Sequence, residues 1–510
     1  MGEGISEIGK LSGKRVYKIP LKNVEESVLE TFFSTLNFME LALQLSKLSL
    51  MHFKENGPLE LKGAVFNDDI LCRAFELAIK YASKDGGRIP TEDNLVDVLQ
   101  YAAGEAEKYF FSGINHPALS DANPTDAEIL MTRIAYTQFF EKEYNLIARY
   151  WYIYAYLWNE NRTSFTSPLD DIKEMIGASY KEIVVYGLVV SFQPYIRGLN
   201  LDEKKELSEL LKEEFSDKGF DNFLDYFSCS QQEWSCCENP PPPKCNLKPI
   251  VRSEQKSLAL NEVVCFIPAR NKLMQRITAG LYFDLCNKYN RGGGDNPFKN
   301  EFGMVFERYV ENILKESLTS YNISSQIEYG KNGEKSVDFL IKKDCTLVLI
   351  EVKQSSIFWK SKVSGKEIDL RNDMRNTILK AVKQINHTKS LIESKKCEPF
   401  SNYYNCTQMI GLIVVNDPLY NANDLCRKII SNSGLIVNDI YVINISDLED
   451  FLDLQKPKQD FWSVLKNKQN GRENYDFKEY LSEHYDYSQK DNRFLEKFYR
   501  EVIPVAEFAK

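Results

Sequence analysis

Hydrophobic and polar positions follow different rules in the two halves of the chain. From about residue 25 to 227 apolar residues recur at helical spacing, and start signals precede several of the runs. Thr125 with Glu128 fits a capping box before "ILMTRIAYTQFFEKEYNLIARYWYIYAYLW", and Ser179 with Glu182 fits another before "IVVYGLVVSF". The second run is rich in β-branched residues, so a strand is the competing reading there. "LDEKKELSELLKEEF" predicts an exposed, acidic helix. Beyond residue 298 the two periods alternate. "FKNEFGMVFERYVENILKESL" predicts an amphipathic helix that buries Phe302, Val305, Phe306, Tyr309, Val310 and Ile313. Three strand-like segments follow, "SSQIEYG", "KSVDFLIKK" and "TLVLIEVKQ", then a helix from about Asn372 to Glu393 and the strands "MIGLIVVND" and "DIYVINI". The order α-β-β-β-α-β, with a further strand, predicts a mixed sheet with helices packed on it.

Between the halves, "SCSQQEWSCCENPPPPKCNLKP" carries four consecutive prolines, which can neither continue a helix nor sit in a central strand. The expected organisation is a helical recognition or assembly domain over 1–227 and a Cys/Pro-rich linker over 228–249. A connecting strand and helix over 250–297 come next, then a mixed α/β domain over 298–450 and a helical carboxy-terminal tail over 451–510. The fold class is multidomain α/β, mostly helical in its amino-terminal region.

Charge changes this picture in one place. The chain carries a net charge of −9 with a pI of about 5.4, which does not suggest a nucleic-acid binder as a whole. Residues 331–400 nevertheless hold 15 Lys or Arg against 9 Asp or Glu, and a local basic region matters more for phosphate than the whole-chain sum. The acidic helical half suggests a protein partner or oligomer contact. Neither an export signal nor an apolar run of spanning length stands out; "YWYIYAYLW" is too short and too rich in tyrosine. A cytoplasmic protein with no membrane partner is expected, its eleven irregularly spaced cysteines mostly reduced thiols. Zinc at Cys229, Cys236, Cys237 and Cys245 is conceivable. Against it, paired C-x-x-C knuckles are missing and adjacent cysteines chelate awkwardly, so thiols in a loop are the expected reading.

The candidate chemistry lies where "TLVLIEVKQS" closes on Glu351 and Lys353. In a strand, residues two apart share a face, so Leu347, Leu349, Glu351 and Lys353 fall together, and Val348, Ile350 and Val352 fall opposite. One reading is a strand end whose charges reach solvent. The other is a site at the carboxyl edge of a sheet. Asp338, in the middle of the three strands, has room to return beside Glu351 through a hairpin turning at Lys343–Asp344. Two carboxylates held together repel, and a divalent cation removes the conflict; oxygen donors suit Mg²⁺ or Mn²⁺. Lys353 can then stabilise charge on a phosphate or orient a water.

The set Asp338…Glu351-Val352-Lys353, within this order of elements, resembles the PD-(D/E)xK nuclease superfamily over residues 298–450. The resemblance implies a restriction-endonuclease-like fold, a mixed sheet flanked by helices. It further implies an upstream helical glutamate joining the metal site, which Glu307 in "GMVFERYV" matches, so that the implied metal ligands are Asp338, Glu351 and Glu307. Relatives of the RecB nuclease type carry a glutamine on the helix after the motif strand, and Gln384 is similar; Thr388 stands where they have tyrosine, and Val337 where the superfamily has proline. The implied activity is metal-dependent phosphodiester hydrolysis, of DNA by analogy with most of the superfamily, in bacterial anti-phage defence or restriction. The implied catalytic set is Asp338, Glu351, Lys353, Glu307 and Gln384. The alternative is a catalytically inactive nuclease-like fold that binds nucleic acid or serves as a protein adaptor. After the motif, Lys360, Lys362, Lys366, Arg371 and Arg375, with Phe358 and Trp359 interleaved, could track a phosphate backbone or form a solvated loop.

Overall fold

A computed structural model of the chain describes residues 6–11, 14–18, 22, 24–55, 59–110, 133, 140–160, 167–235, 244–256, 263–292, 296–354, 361, 367–418, 423–424, 427, 435, 439–453, 461–469, 472–484 and 492–503. The chain divides into two compact units. Met1–Gly9, Val16–Asn296 and Phe498–Lys510 form the first; Lys10–Arg15 and Pro297–Lys497 form the second. This division differs from the one expected at 228–249. Ser228–Ser230 is a strand paired in parallel with Ile250–Lys256, which runs antiparallel to Val263–Phe266. The Cys/Pro-rich segment thus leaves and re-enters one three-stranded sheet of the first unit. Prolines exclude only their own stretch from a ladder, and the residues on either side remain able to pair.

In the first unit, helices Phe38–Glu55, Asp68–Tyr81 and Glu92–Phe110 bury Leu41, Leu45, Phe75 and Leu99 in a common core. The Ser179–Glu182 capping box is present in both directions, and the run it opens is the helix Tyr180–Ser191, not a strand. The reciprocal cap satisfies backbone donors that only a helix start leaves open. The Thr125–Glu128 box lies outside the described residues. The tyrosine-rich run is helical with a π-helical turn at Tyr152–Leu157. Its Tyr152 stacks on Phe498 at 4.0 Å between ring centroids, and Trp151 Nε1 donates to Glu501 at 2.9 Å. Arg270 is wholly buried and donates to the carbonyls of Ser46, Ser191 and Gln193 at 2.7, 2.8 and 2.6 Å. Among the described residues no helix is long and apolar enough to cross a membrane.

The second unit opens with helix Pro297–Ser317 (α1), whose six expected apolar positions are all buried. Strands Asn322–Ser325 (β1), Phe339–Lys343 (β2) and Thr346–Lys353 (β3) follow, then helix Glu367–Ser394 (α2) and strands Gln408–Val415 (β4) and Ile440–Asn444 (β5), with helix Ile445–Asp453 (α3) directly after. The sheet order is β5-β4-β3-β2-β1. The β1–β2 and β2–β3 pairs are antiparallel and the β3–β4 and β4–β5 pairs parallel, with α2 as the connection between β3 and β4. Lys343 pairs with Thr346, leaving Asp344–Cys345 as a two-residue hairpin loop, and Asp344 takes the positive φ of 53° that such loops require. β3 is the central strand, and α1 and α2 both pack on it, which buries Leu347 to Val352 on both faces. α2 also lies close over β4: a side chain at Gly411 would stand 2.8 Å from Ile385 of α2.

Candidate active site

Asp338 lies one residue before β2, a small departure from the expectation that it sits inside a strand. Side chains draw Ser336–Asp338 out of the ladder. Ser336 N–H donates to Ile327 O at 2.9 Å, and Ile327 N–H donates back to Ser336 Oγ at 2.8 Å. Phe339 pairs with Ile350, so one further step of the same register sets Asp338 opposite Glu351.

The opposition is close enough to couple the two carboxyls. Asp338 is 6 % exposed and Glu351 1 %. Burial pushes both upward from the ordinary carboxylate range. For Glu351 the Asp338 charge adds to burial, and the Lys353 ammonium and Asp338 N–H oppose it. For Asp338 the Val352 N–H, donated to Oδ2 at 2.7 Å, works against burial, as does Lys353. Lys353 closes on Glu351 Oε1 in a short ion pair, its own side chain 26 % exposed. Glu351 Oε2 is buried without a hydrogen-bond partner. Glu307 stands on α1, half-buried, one helical turn from Gly303. Gly303 in turn lies near Gln354, the residue after β3. Burial first, and Asp338 second, raise the Glu307 carboxyl to about 7.

Gln384 does not reach a carboxylate. Its Nε2 donates to Ser336 O at 2.7 Å, and Thr388, one turn further along α2, accepts the Val337 N–H at 3.3 Å. Gln326 Nε2 donates to Asp338 Oδ1 at 3.3 Å and lies 3.4 Å from Ser336 O. These side chains fix the peptide that carries Asp338. Gln326 and Ser336 had no signal in the sequence, since their partners are backbone atoms and a carboxylate about ten residues away. Thr388 registered only as a missing tyrosine.

Asp338 and Glu351 fit the oxygen-donor chemistry of Mg²⁺ or Mn²⁺, which needs only one or two protein carboxylates and keeps several waters. The orphaned Glu351 Oε2 is a buried acceptor without a hydrogen-bond partner, free to ligate a cation. The set of three carboxylates implied by the resemblance is not assembled as a group: among the described residues no three His, Cys, Asp or Glu side chains gather in a metal-holding cluster. The physical reason is that both Asp338 oxygens and Glu351 Oε1 are turned to internal donors, Val352, Gln326 and Lys353.

Of the basic stretch, Lys360, Lys362 and Lys366, with Phe358 and Trp359, lie outside the described residues. Arg371 and Arg375 lie on α2, and their side chains are outside the described set. Cys236 and Cys237 are also outside it, while Cys229 and Cys245 are buried in the core of the first unit. No family model, no curated protein and no solved structure matches the chain.

Proposed function

We propose that the second unit is a metal-dependent nuclease that hydrolyses phosphodiester bonds of DNA, and that its sheet belongs to the restriction-endonuclease-like class. The observation that carries this reading is the register that sets Asp338 against Glu351, with Lys353 on the same strand and the buried Glu351 Oε2 left without a donor. Isolated carboxylates brought together in a protein interior are unfavourable unless something positive completes them. Asp338 and Glu351 would hold the cation. The cation would supply Lewis acidity toward a phosphoryl oxygen and a more acidic bound water.

The chain's own groups then have separable tasks. Lys353, partly exposed at the end of β3, provides positive charge for a phosphate oxygen once it leaves Glu351. Glu307, titrating at about 7, is able to take up or return a proton near neutral pH. Gln384 and Thr388 hold the Ser336–Val337 peptide and so fix the direction of Asp338. Incubation with plasmid, linear and single-stranded DNA and with RNA, in Mg²⁺, Mn²⁺ or EDTA, tests the reading. Metal-dependent scission supports it, and scission at full rate in EDTA defeats it.

A second reading is favoured by one observation: Lys353 already neutralises Glu351, so the carboxylates are partly satisfied without a cation. In that reading the second unit binds nucleic acid or a protein partner and does no chemistry. Metal-dependent cleavage lost in Asp338→Ala eliminates it.

A further inference from the structure

Between β1 and β2 the chain makes a small ribbon. Glu328–Tyr329 pairs antiparallel with Glu334–Lys335, and the turn between them uses Gly330 and Gly333 at φ of 70° and 65°. Tyr329 stands opposite Glu334 in the pairing, and Glu328 stands opposite Lys335. Cross-strand partners share a face and neighbours along a strand take opposite ones, so Tyr329 and Lys335 belong to opposite faces. The Tyr329 face is anchored. Its ring is buried, with centroids 5.5 Å from Phe400 and 6.1 Å from His387 of α2. Lys335 is exposed.

The chain is also held just beyond Lys335. Ser336 is wholly buried; its N–H donates to Ile327 O at 2.9 Å, and its carbonyl accepts from Gln384 Nε2 at 2.7 Å. The Lys335 backbone is thus fixed on both sides. Asp338 follows three residues later, a Cα span of at most about 11 Å, and the flexible four-carbon stem lets the ammonium swing across part of it. Glu328 is the ready counter-charge, opposite on the same face. Yet no ion pair or hydrogen bond joins the Lys335 ammonium to Glu328 or to any other described residue. Burial raises the Asp338 and Glu307 carboxyls, and Lys335 is among the charges that pull both back down, in keeping with this placement.

A cation on Asp338 and Glu351, with Lys353, would meet the phosphate being cut. The next phosphates along the strand carry the same charge and need partners of their own. On the nuclease reading of this unit, we propose that Lys335 is a substrate-binding residue whose ammonium takes a phosphate of the DNA strand beside the one that is cut. That neighbouring phosphate keeps its charge from ground state to transition state. The contact therefore lowers the DNA concentration needed and leaves the rate at saturation alone. It acts as one phosphate contact, so its share of the affinity falls as salt rises.

The test is single-turnover cleavage by the full chain in Mg²⁺, over a range of DNA concentrations and at several salt concentrations. In Lys335→Ala the half-saturating DNA concentration should rise about threefold or more at low salt. The slope of log affinity against log salt should become shallower by about one. The rate at saturation should stay within about twofold of wild type. Lys335→Arg keeps the charge and should restore the affinity and the slope. Lys396→Ala, which removes an exposed lysine just past the end of α2, is the charge control and should change neither. A Lys335→Ala chain with wild-type half-saturation and slope overturns the proposal while the nuclease reading stands. So does an equal loss of slope in Lys396→Ala, or a Lys335→Ala chain that loses only its rate at saturation. A wild-type chain that neither binds nor cuts DNA defeats the nuclease reading, and the assignment of Lys335 falls with it.

Discussion

Asp338 Oδ2 accepts the Val352 N–H at 2.7 Å, so the first carboxylate of the pair is anchored on the residue between Glu351 and Lys353. The bond spans the hairpin and ties the position of one carboxyl to the direction of the other. It also keeps negative charge on Asp338 in a place where burial opposes it. That charge reaches Glu351 and Glu307, and both are raised by it. Asp338→Asn retains the size of the side chain and removes the charge. The Glu307 carboxyl, at about 7, should move down toward its ordinary 4.5, and Glu351 should move down with it. Carbon-13 NMR titration of the glutamate carboxyls checks this. A Glu307 titration that does not move would mean that burial alone raises it.

The same raised carboxyls set a dependence of stability on pH. Glu307 is protonated in the folded chain up to about 7 and in the unfolded chain only up to about 4.5. The folded state thus holds the extra proton between those values. Its contribution is complete below the lower value and is lost as pH rises through the upper one. Wild type should lose urea resistance relative to Glu307→Gln between about pH 4.5 and about pH 7. Added Mg²⁺ competes with these protons, so under the metal reading its stabilising effect should grow over the same range. A wild-type minus variant difference that stays flat across the window would contradict the raised Glu307.

Thr388 is wholly buried and accepts the Val337 N–H. Thr388→Val fills the same space and leaves that donor without a partner, which should destabilise the chain by about 1–3 kcal/mol in urea unfolding. Gln384→Ala exposes the Ser336 carbonyl in the same peptide. Because the two side chains grip one short segment, their effects on cleavage should be non-additive in a double-mutant cycle. Strict additivity would mean that the segment is held elsewhere.

Local pattern carried much of the second unit. The six apolar positions of α1, the short turn between β2 and β3, and the facing of Glu351 with Lys353 follow from period and spacing, and the register then brings Asp338 opposite Glu351. What was not legible depends on partners distant in sequence. Gln326 donates to Ser336 O and Asp338 Oδ1, and Thr388 accepts from Val337 N–H; a polar residue on a helix or loop does not announce its partner. Ser228–Ser230 is too short to show alternation, and its partner strand begins only after the prolines.

Arg270 joins three segments of the first unit through the carbonyls of Ser46, Ser191 and Gln193. Arg270→Met keeps the stem but takes the donor away from the carbonyls of Ser46, Ser191, Gln193 and Ile267. The loss should be about 3 kcal/mol or more, since each unsatisfied group costs about 1–3 kcal/mol. Arg270→Lys should restore only part, because one ammonium cannot reproduce the fork that reaches all these acceptors. Urea midpoints of the three chains decide it, and a methionine variant as stable as wild type would show that water reaches these carbonyls.

Lys353→Met is the substitution that separates chemistry from binding. It retains the aliphatic stem on β3 and deletes the charge that closes on Glu351 Oε1. In the metal-free chain Glu351 then loses the group that opposes its burial, so its carboxyl should rise further. Divalent metal should still bind, because both carboxylates remain and the competing ammonium is gone. DNA should also still bind, through the basic stretch from Lys360 to Arg375, with affinity falling steeply as salt rises. Cleavage should nevertheless drop by about 10²-fold or more, because charge beside the scissile phosphate matters more in the transition state than in the ground state. Calorimetric metal titration, DNA binding at two salt concentrations and single-turnover cleavage give the three readouts. A variant that binds metal and DNA but does not cut assigns Lys353 to catalysis. A variant that cuts like wild type reduces Lys353 to a charge at the end of a strand, whatever the carboxylates do.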